Sequence, residues 1–505
     1  MALPEGSVAH QRFRALALAG TAVMLVHGAA AKADESVVET RHTLEAGDLR
    51  LDYAAHAGRL AIRDVETGNA RGYMFYVAYR VPGDPGRPVA FIWNGGPGAP
   101  ATILHFETAG PYRAEDGALA PNAHSWLSEM DLVFVDPIGT GFSRPARAEY
   151  GDEFYGTLGD IASATEFVRA WRLRNEALDS PIILAGESWG AIRVASVAYQ
   201  LEERGIPVGA LSLISGGSGL HAEDGDGVLI DALRVTGFAR TAFHYGLSDP
   251  SVGETLDEVL NNAERWVRER YAPALARIDT LSSAERDAIA EELSDFIGIG
   301  ADQISRESLV ITTRAFRDTL LSDREATLGV FDMRLNTADP QAHTGAPSVR
   351  EPILRYLRYR LNYRTDLPYI GLENWSVGYA PGGEIPRPPS ARWNYATGPV
   401  TDEEYAAAVA EAIRRGDGPP RIGPPLPSTV DALELNPAIQ VLIASGAYDS
   451  LANCAGIEEL AARQSEPVRA AVTTRCYEGG HMMYRDAPVL DAFNADMRAL
   501  ARALR

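Results

Sequence analysis

Cysteine is nearly absent from this chain, with only Cys454 and Cys476 in 505 residues. Their spacing is far from C-x-x-C, so zinc-ribbon and dithiol redox chemistry have no support. Two readings stay open for the pair, one disulfide in an oxidising compartment or two buried free thiols. Positive charge is short as well: Lys and Arg number 47 against 68 Asp and Glu, a formal net charge of −21. Such an acidic chain repels phosphate backbones and anionic membrane surfaces, so nucleic acid is excluded as the expected partner. Beyond residue 33 no segment approaches the ~18 consecutive apolar residues that a membrane-spanning helix requires.

What is present begins with a leader-like segment. Arg12 and Arg14 precede the apolar run "ALALAGTAVMLVHGAAA", and Ala31-Lys32-Ala33 follows. This three-part layout predicts a signal peptide over residues 1–33, cleavage near Ala33, and a periplasmic or secreted mature chain. The remaining length, with 46% hydrophobic residues overall, is enough for one large core with an insertion or for two to three domains.

Period-two and apolar patterns predict the strands. "LRLDYAAHAGRLAIRD" and "RGYMFYVAYRV" read as a hairpin, while "PVAFIWNGG" and "MDLVFVDPIGTG" read as buried strands running into glycine-rich loops. Between residues 158 and 177, Ile161, Ala164, Phe167, Val168 and Trp171 share one helical face, followed by the strand "SPIILAGES". A helix from about Gly190 to Gly205 leads to the strand "GALSLISGG". Alternating strands and helices predict an α/β fold with a mostly parallel sheet.

From about residue 218 to 435 the rhythm changes to amphipathic helices and Pro/Gly-rich stretches, which reads as a helical cap inserted in the core. The expected organisation is therefore a first core part over 34–217, a cap over 218–435 and a second core part over 436–505. Within the cap, "EDGDGVLID" imitates a calcium loop but lacks its third ligand and its twelfth-position glutamate, and so reads as a solvated loop.

Gly186-Glu187-Ser188-Trp189-Gly190 has the form G-x-S-x-G between a predicted strand and a predicted helix, the context of a nucleophile elbow. A serine hydroxyl needs a base, and the base needs an orienting carboxylate. In chain order serine, acid, histidine, the strand ends supply Asp449 and His481. Asp449 also suits a plain turn or cap. His105 and His124 precede Ser188 and would break the order. Two N–H donors must face the developing oxyanion; the Trp189 backbone is one, and Gly96, in the glycine-rich loop Asn94–Gly98, is the second.

"WNGGPG", "SWLSEMDLVFVDPIGTGFS", "GESWG", "SGAYDSLANCAG" and "GGHMMYRDAP", in order over residues 93–488, together resemble the serine carboxypeptidase family, in particular its bacterial branch. The resemblance implies an α/β-hydrolase fold with a helical cap and a triad of Ser188, Asp449 and His481. It also implies Gly96 and Trp189 as the oxyanion hole, and Asn94, the Gly95 N–H and Glu187 as ligands of a substrate's C-terminal carboxylate. Removal of C-terminal residues at acidic pH, without metal or cofactor, is the activity it implies. Three positions depart from the family pattern. Counting from Asn94 puts Thr108 rather than Glu107 in a second carboxyl position, Trp189 stands where Tyr is common, and Ala99 where cysteine is usual. Two competing functions follow from the same residues: an esterase or acyltransferase, and a catalytically silent binding protein, which a lost triad member would signal.

Overall fold

The computed structural model describes residues 35–222, 227–339, 349–373, 387–415, 420 and 422–505. The expected signal peptide lies outside them, as do residues 223–226 of the calcium-loop look-alike, whose remainder enters a helix over Gly227–Ala232.

Among the described residues there are twelve strands in chain order. β1 is Val37–Ala46, β2 Leu49–Arg63, β3 Ala70–Arg80, β4 Val89–Trp93, β5 Tyr112–Glu115, β6 Ala118–Pro121, β7 Asp131–Val135, β8 Arg144–Pro145, β9 Ile182–Glu187, β10 Ala210–Ile214, β11 Gln440–Gly446 and β12 Val472–Tyr477. The main sheet runs β1-β2-β3-β7-β4-β9-β10-β11-β12, with β8 pairing β3 at its side. β1, β2, β3 and β7 are joined by antiparallel pairings. From β7 through β12 every neighbour is parallel. The inversion that places β7 between β3 and β4, and the parallel run after it, are the strand order of an α/β-hydrolase sheet.

The inner parallel strands β4, β7, β9, β10 and β11 are mostly apolar because both faces are covered, whereas β12 at the edge is largely exposed. One cluster packs Phe91, Leu184, Leu211 and Ile443 against Phe167, Val168 and Trp171 of the helix Thr157–Arg174 and against Val194 and Val197 of the helix Trp189–Glu203. The opposite face buries Ile92, Phe134, Ile183 and Leu442 with Phe493 and Met497 of the C-terminal helix Ala487–Arg502. β1, not expected from the sequence patterns, extends the antiparallel end through a ten-residue pairing with β2.

Between β10 and β11 the helices Arg234–His244, Leu256–Trp266, Ser283–Ile297 and Thr313–Thr319 build their own core around Val259, Leu293 and Phe316. The segment containing Ile353, Leu357, Tyr363 and Tyr369 packs instead into the cluster of the sheet. Cys454 and Cys476 are joined as a disulfide, which ties the start of the helix Cys454–Arg463 to β12.

Candidate active site

The parallel strands deliver three loops to their C-terminal edge. β9 ends at Glu187, the next helix begins at Trp189, and Ser188 between them has φ 58° and ψ −123°. This is a left-handed region that a non-glycine residue rarely occupies, and it thrusts a side chain out of a tight strand-to-helix turn. The flanking glycines are required sterically. A Cβ at Gly186 would meet the Gly190 carbonyl oxygen at 2.0 Å, and one at Gly190 would meet the Trp93 oxygen at 2.9 Å. Ser188 Oγ makes no hydrogen bond to a described residue and is partly exposed.

The loop after β4 lies directly against this turn. A Cβ at Gly95 would meet the Trp189 nitrogen at 2.5 Å and the Ser188 Cβ at 2.9 Å. Gly96 has φ 105°, a conformation glycine adopts without strain. The N–H groups of Gly96 and Trp189 donate to no described residue, and the Trp189 N–H is among the first of its helix, which lack intrahelical acceptors. The Trp189 ring packs edge-on against Trp393 and Tyr395, with centroids 5.8 and 5.9 Å away.

β11 ends at Gly446, and Asp449 sits in the following turn, where its Oδ1 accepts the Leu451 N–H at 2.9 Å. His481 follows Gly479-Gly480 beyond β12, and its Nδ1 lies 2.7 Å from Asp449 Oδ2. Both residues are buried. Burial pulls the imidazole pKa down, but the Asp449 hydrogen bond and the charges of Asp449 and Glu187 outweigh it, so the net shift is upward. The cap reaches this pair. The Phe331 carbonyl oxygen accepts the His481 N–H, its ring lies 5.1 Å from the imidazole, and Ser450 donates to the Val330 oxygen at 2.6 Å. Phe331 remains half-exposed at 51%.

Glu187 is buried beside them. Its Oε1 accepts the Tyr484 hydroxyl at 2.6 Å, and its Oε2 accepts an Asn94 side-chain N–H. Burial is the main cause that raises its pKa to about 7, with the neighbouring Glu107 adding to the rise and Tyr484, His481 and Arg485 opposing it. Asn94 is fixed in turn, for its Oδ1 accepts the Leu104 N–H at 3.1 Å and its carbonyl accepts Arg193 Nη1 at 2.9 Å. Arg193 is wholly buried and clasped by Asp160 from the preceding helix at 2.7 and 3.1 Å.

Thr108 does not face this cluster. It is buried in the irregular helical turn His105–Ala109 with its hydroxyl donated to Asn494 Oδ1 at 2.9 Å. The adjacent Glu107 instead accepts two bonds from Arg485, at 2.6 and 2.8 Å. Tyr484, Arg485, Phe331 and the Asp160–Arg193 pair are the site neighbours that sequence reading did not single out. The first two stand inside the quoted "GGHMMYRDAP", three and four residues after His481, so their chain position was visible although their side-chain directions were not.

Chemically, the cluster brings together a partly exposed serine, a carboxylate-bound imidazole, two uncommitted backbone donors and a buried carboxyl that holds its proton to about pH 7. Among the described residues no group of three or more His, Cys, Asp or Glu side chains is arranged to hold a metal ion.

Residues 51–205 match the family model described as serine carboxypeptidase. The chain is 25% identical over 225 residues to a probable serine carboxypeptidase, CPVL, of Dictyostelium discoideum, an alignment covering 43% of each protein. It is 33% identical over 141 residues to the pheromone-processing carboxypeptidase KEX1 of Phytophthora infestans, covering 27% of this chain and 22% of that one. These alignments span less than half the length of either relative. A crystal structure of the prohormone-processing carboxypeptidase KEX1 of Saccharomyces cerevisiae aligns over 89% of this chain and 92% of its own, at 17% identity and a TM-score of 0.47. Over residues 51–205 the chain is thus similar to the serine carboxypeptidase family.

Proposed function

We propose that this protein is an exported serine carboxypeptidase that releases C-terminal residues from peptides on the acid side of neutrality. His481 takes the proton of Ser188 as Oγ attacks the carbonyl carbon of the last peptide bond, and Asp449 holds the imidazole and stabilises its charged form. The carbonyl oxygen, now an anion, is received by the Gly96 and Trp189 N–H groups. As the carbonyl re-forms, the C–N bond breaks, His481 gives its proton to the departing amine, and the rest of the peptide stays as an ester on Ser188. Water then attacks that ester by the same route, and the serine is restored.

The observation that carries this reading is the buried Glu187 carboxyl between Tyr484 and Asn94. A carboxyl that keeps its proton to about pH 7 can donate a hydrogen bond to a carboxylate, and beside Asn94 and the Gly95 N–H it offers a receptor for a free C-terminus. Support for export comes from the leader-like sequence of residues 1–33. No described helix is long and apolar enough to cross a membrane.

A second reading, ester hydrolysis or acyl transfer by the same residues, is favoured by one observation. Thr108, counted into the second carboxyl position, turns its hydroxyl to Asn494 and offers nothing to a carboxylate. The deciding experiment is mass spectrometry of a peptide mixture after incubation between about pH 4 and 7, with free and amidated C-termini compared. Stepwise shortening of the free ends only, lost in Ser188→Ala, is the expected result. Turnover of small esters with neither peptide set shortened would replace the carboxypeptidase reading with the second one.

A further inference from the structure

We propose that Arg485 is a specificity-determining residue that contacts the substrate's C-terminal carboxylate, with Glu107 as the counter-ion it trades for that carboxylate. The inference rests on the carboxypeptidase reading and deepens it.

The groups around Glu187 form a closed circuit. Tyr484 donates to one Glu187 oxygen and Asn94 to the other. Asn94 Oδ1 accepts the Leu104 N–H, and one short helical turn later Glu107 accepts both bonds from Arg485, the chain neighbour of Tyr484. Within this ring the neutral donors are partly engaged: the Tyr484 hydroxyl is spent on Glu187, as is one of the two side-chain N–H groups of Asn94. A substrate carboxylate entering here adds a negative charge to a ring that holds Glu107 and the titratable Glu187. Its only permanent cation is Arg485.

Arg485 is suited to the task. A guanidinium carries five N–H donors, and Glu107 takes one from Nε and one from Nη2, which leaves three uncommitted among the described residues. Its side chain is 52% exposed, whereas that of Glu107 is 24% exposed, so the cation is the more accessible member of the pair. Guanidinium and carboxylate match as a planar two-bond pair, and unlike Glu187 the guanidinium does not lose its binding form over the pH range of the reaction. Glu107 occupies the face of Arg485 that a substrate carboxylate would use, so it lowers the affinity for free C-termini while keeping the arginine in place.

The two members of the pair thus have opposite effects, which a structural ion pair would not. The experiment compares a blocked dipeptide with a free C-terminus and the same dipeptide amidated, at one pH on the acid side of neutrality, reading kcat and KM separately. Arg485→Leu is expected to raise KM for the free acid by roughly ten- to a hundredfold, as for a lost charge-assisted hydrogen bond, and to collapse the preference for the free acid over the amide. Arg485→Lys should recover part of it. Glu107→Gln should lower KM for the free acid several-fold. The role is overturned if Arg485→Leu leaves the free-acid preference within about twofold of the parent, if both substrates suffer equally, or if Glu107→Gln raises KM. Thermal melts of all variants identify a folding defect, and Glu107→Gln decides the matter if Arg485→Leu does not fold. A parent enzyme with no preference for the free acid would sink the carboxypeptidase reading and this inference with it, whereas a preference that survives in Arg485→Leu would sink the inference alone.

Discussion

The Tyr484 hydroxyl donates to Glu187 Oε1 at 2.6 Å, so the residue immediately before Ser188 is anchored by a side chain that lies three positions after His481. The bond couples the β9 elbow to the loop that follows β12, across the two strands between them. It also places a carboxyl where burial drives its pKa to about 7.

Glu187 therefore sets a pH dependence. On the proposed reading, with its proton Glu187 donates to a substrate carboxylate and without it repels one. KM for a free-acid peptide should rise as pH passes above about 7, and Glu187→Gln, which cannot ionise, should flatten that rise. Steady-state kinetics across the range checks this, and an unchanged profile in the variant removes the role.

On the proposed mechanism Asp449 sets the other limb. Its hydrogen bond and charge raise the His481 pKa against the pull of burial, and the imidazole must be neutral to accept the serine proton. Asp449→Asn should lower kcat by about 10³- to 10⁴-fold and move the acid limb of the residual kcat/KM to lower pH. A limb that stays in place would mean that another group controls it.

Stability should fall as pH rises toward neutrality. Glu187 and the buried Asp136, whose carboxyl accepts the Ala101 N–H at 2.9 Å and the Tyr369 hydroxyl at 2.8 Å, both have pKa values raised to about 7, by burial above all. In the unfolded chain they release their protons near 4.5 and 3.8. Between those values and about 7 the folded state binds more protons than the unfolded one, so these groups' contribution declines as pH increases. Denaturant titrations at about pH 5 and 8 should show Glu187→Gln losing part of the parent's decline, by at most about 3 kcal/mol.

Asp160→Asn removes one partner of a wholly buried ion pair and leaves Arg193 uncompensated. A loss of about 3–5 kcal/mol in unfolding free energy is expected. Because Arg193 also holds the Asn94 carbonyl at 2.9 Å, KM for free-acid peptides should rise in the same variant, separating it from a remote destabilising change. Urea unfolding together with kinetics checks both effects.

Much of the sheet was readable because buried parallel strands are apolar runs with glycine in them or a few residues beyond. The stretches "SPIILAGES" and "GALSLISGG" contain β9 and β10. Asp449 and His481 were found by asking what chemistry Ser188 needs and which strand ends could supply it, and their 2.7 Å approach belongs to the folded chain. The cap was visible only as a change of rhythm. Its delivery of Phe331 to within 5.1 Å of the imidazole was not, because no local pattern ties residue 331 to residue 481.

Sequence by itself determined most strands of the core sheet and the strand-to-helix elbow at Ser188 with its flanking Gly186 and Gly190, since these follow from local periodicity and backbone sterics. It left the two cysteines unassigned and the second carboxyl position to counting. Tertiary structure decided both: Cys454 and Cys476 meet as a disulfide, and one step along a single helical turn separates Thr108, buried against Asn494, from Glu107, paired with Arg485. The physical reason is that adjacent residues in a helical turn point in different directions. Which one faces the site depends on what packs behind them, and that is fixed by chain nearly four hundred positions away.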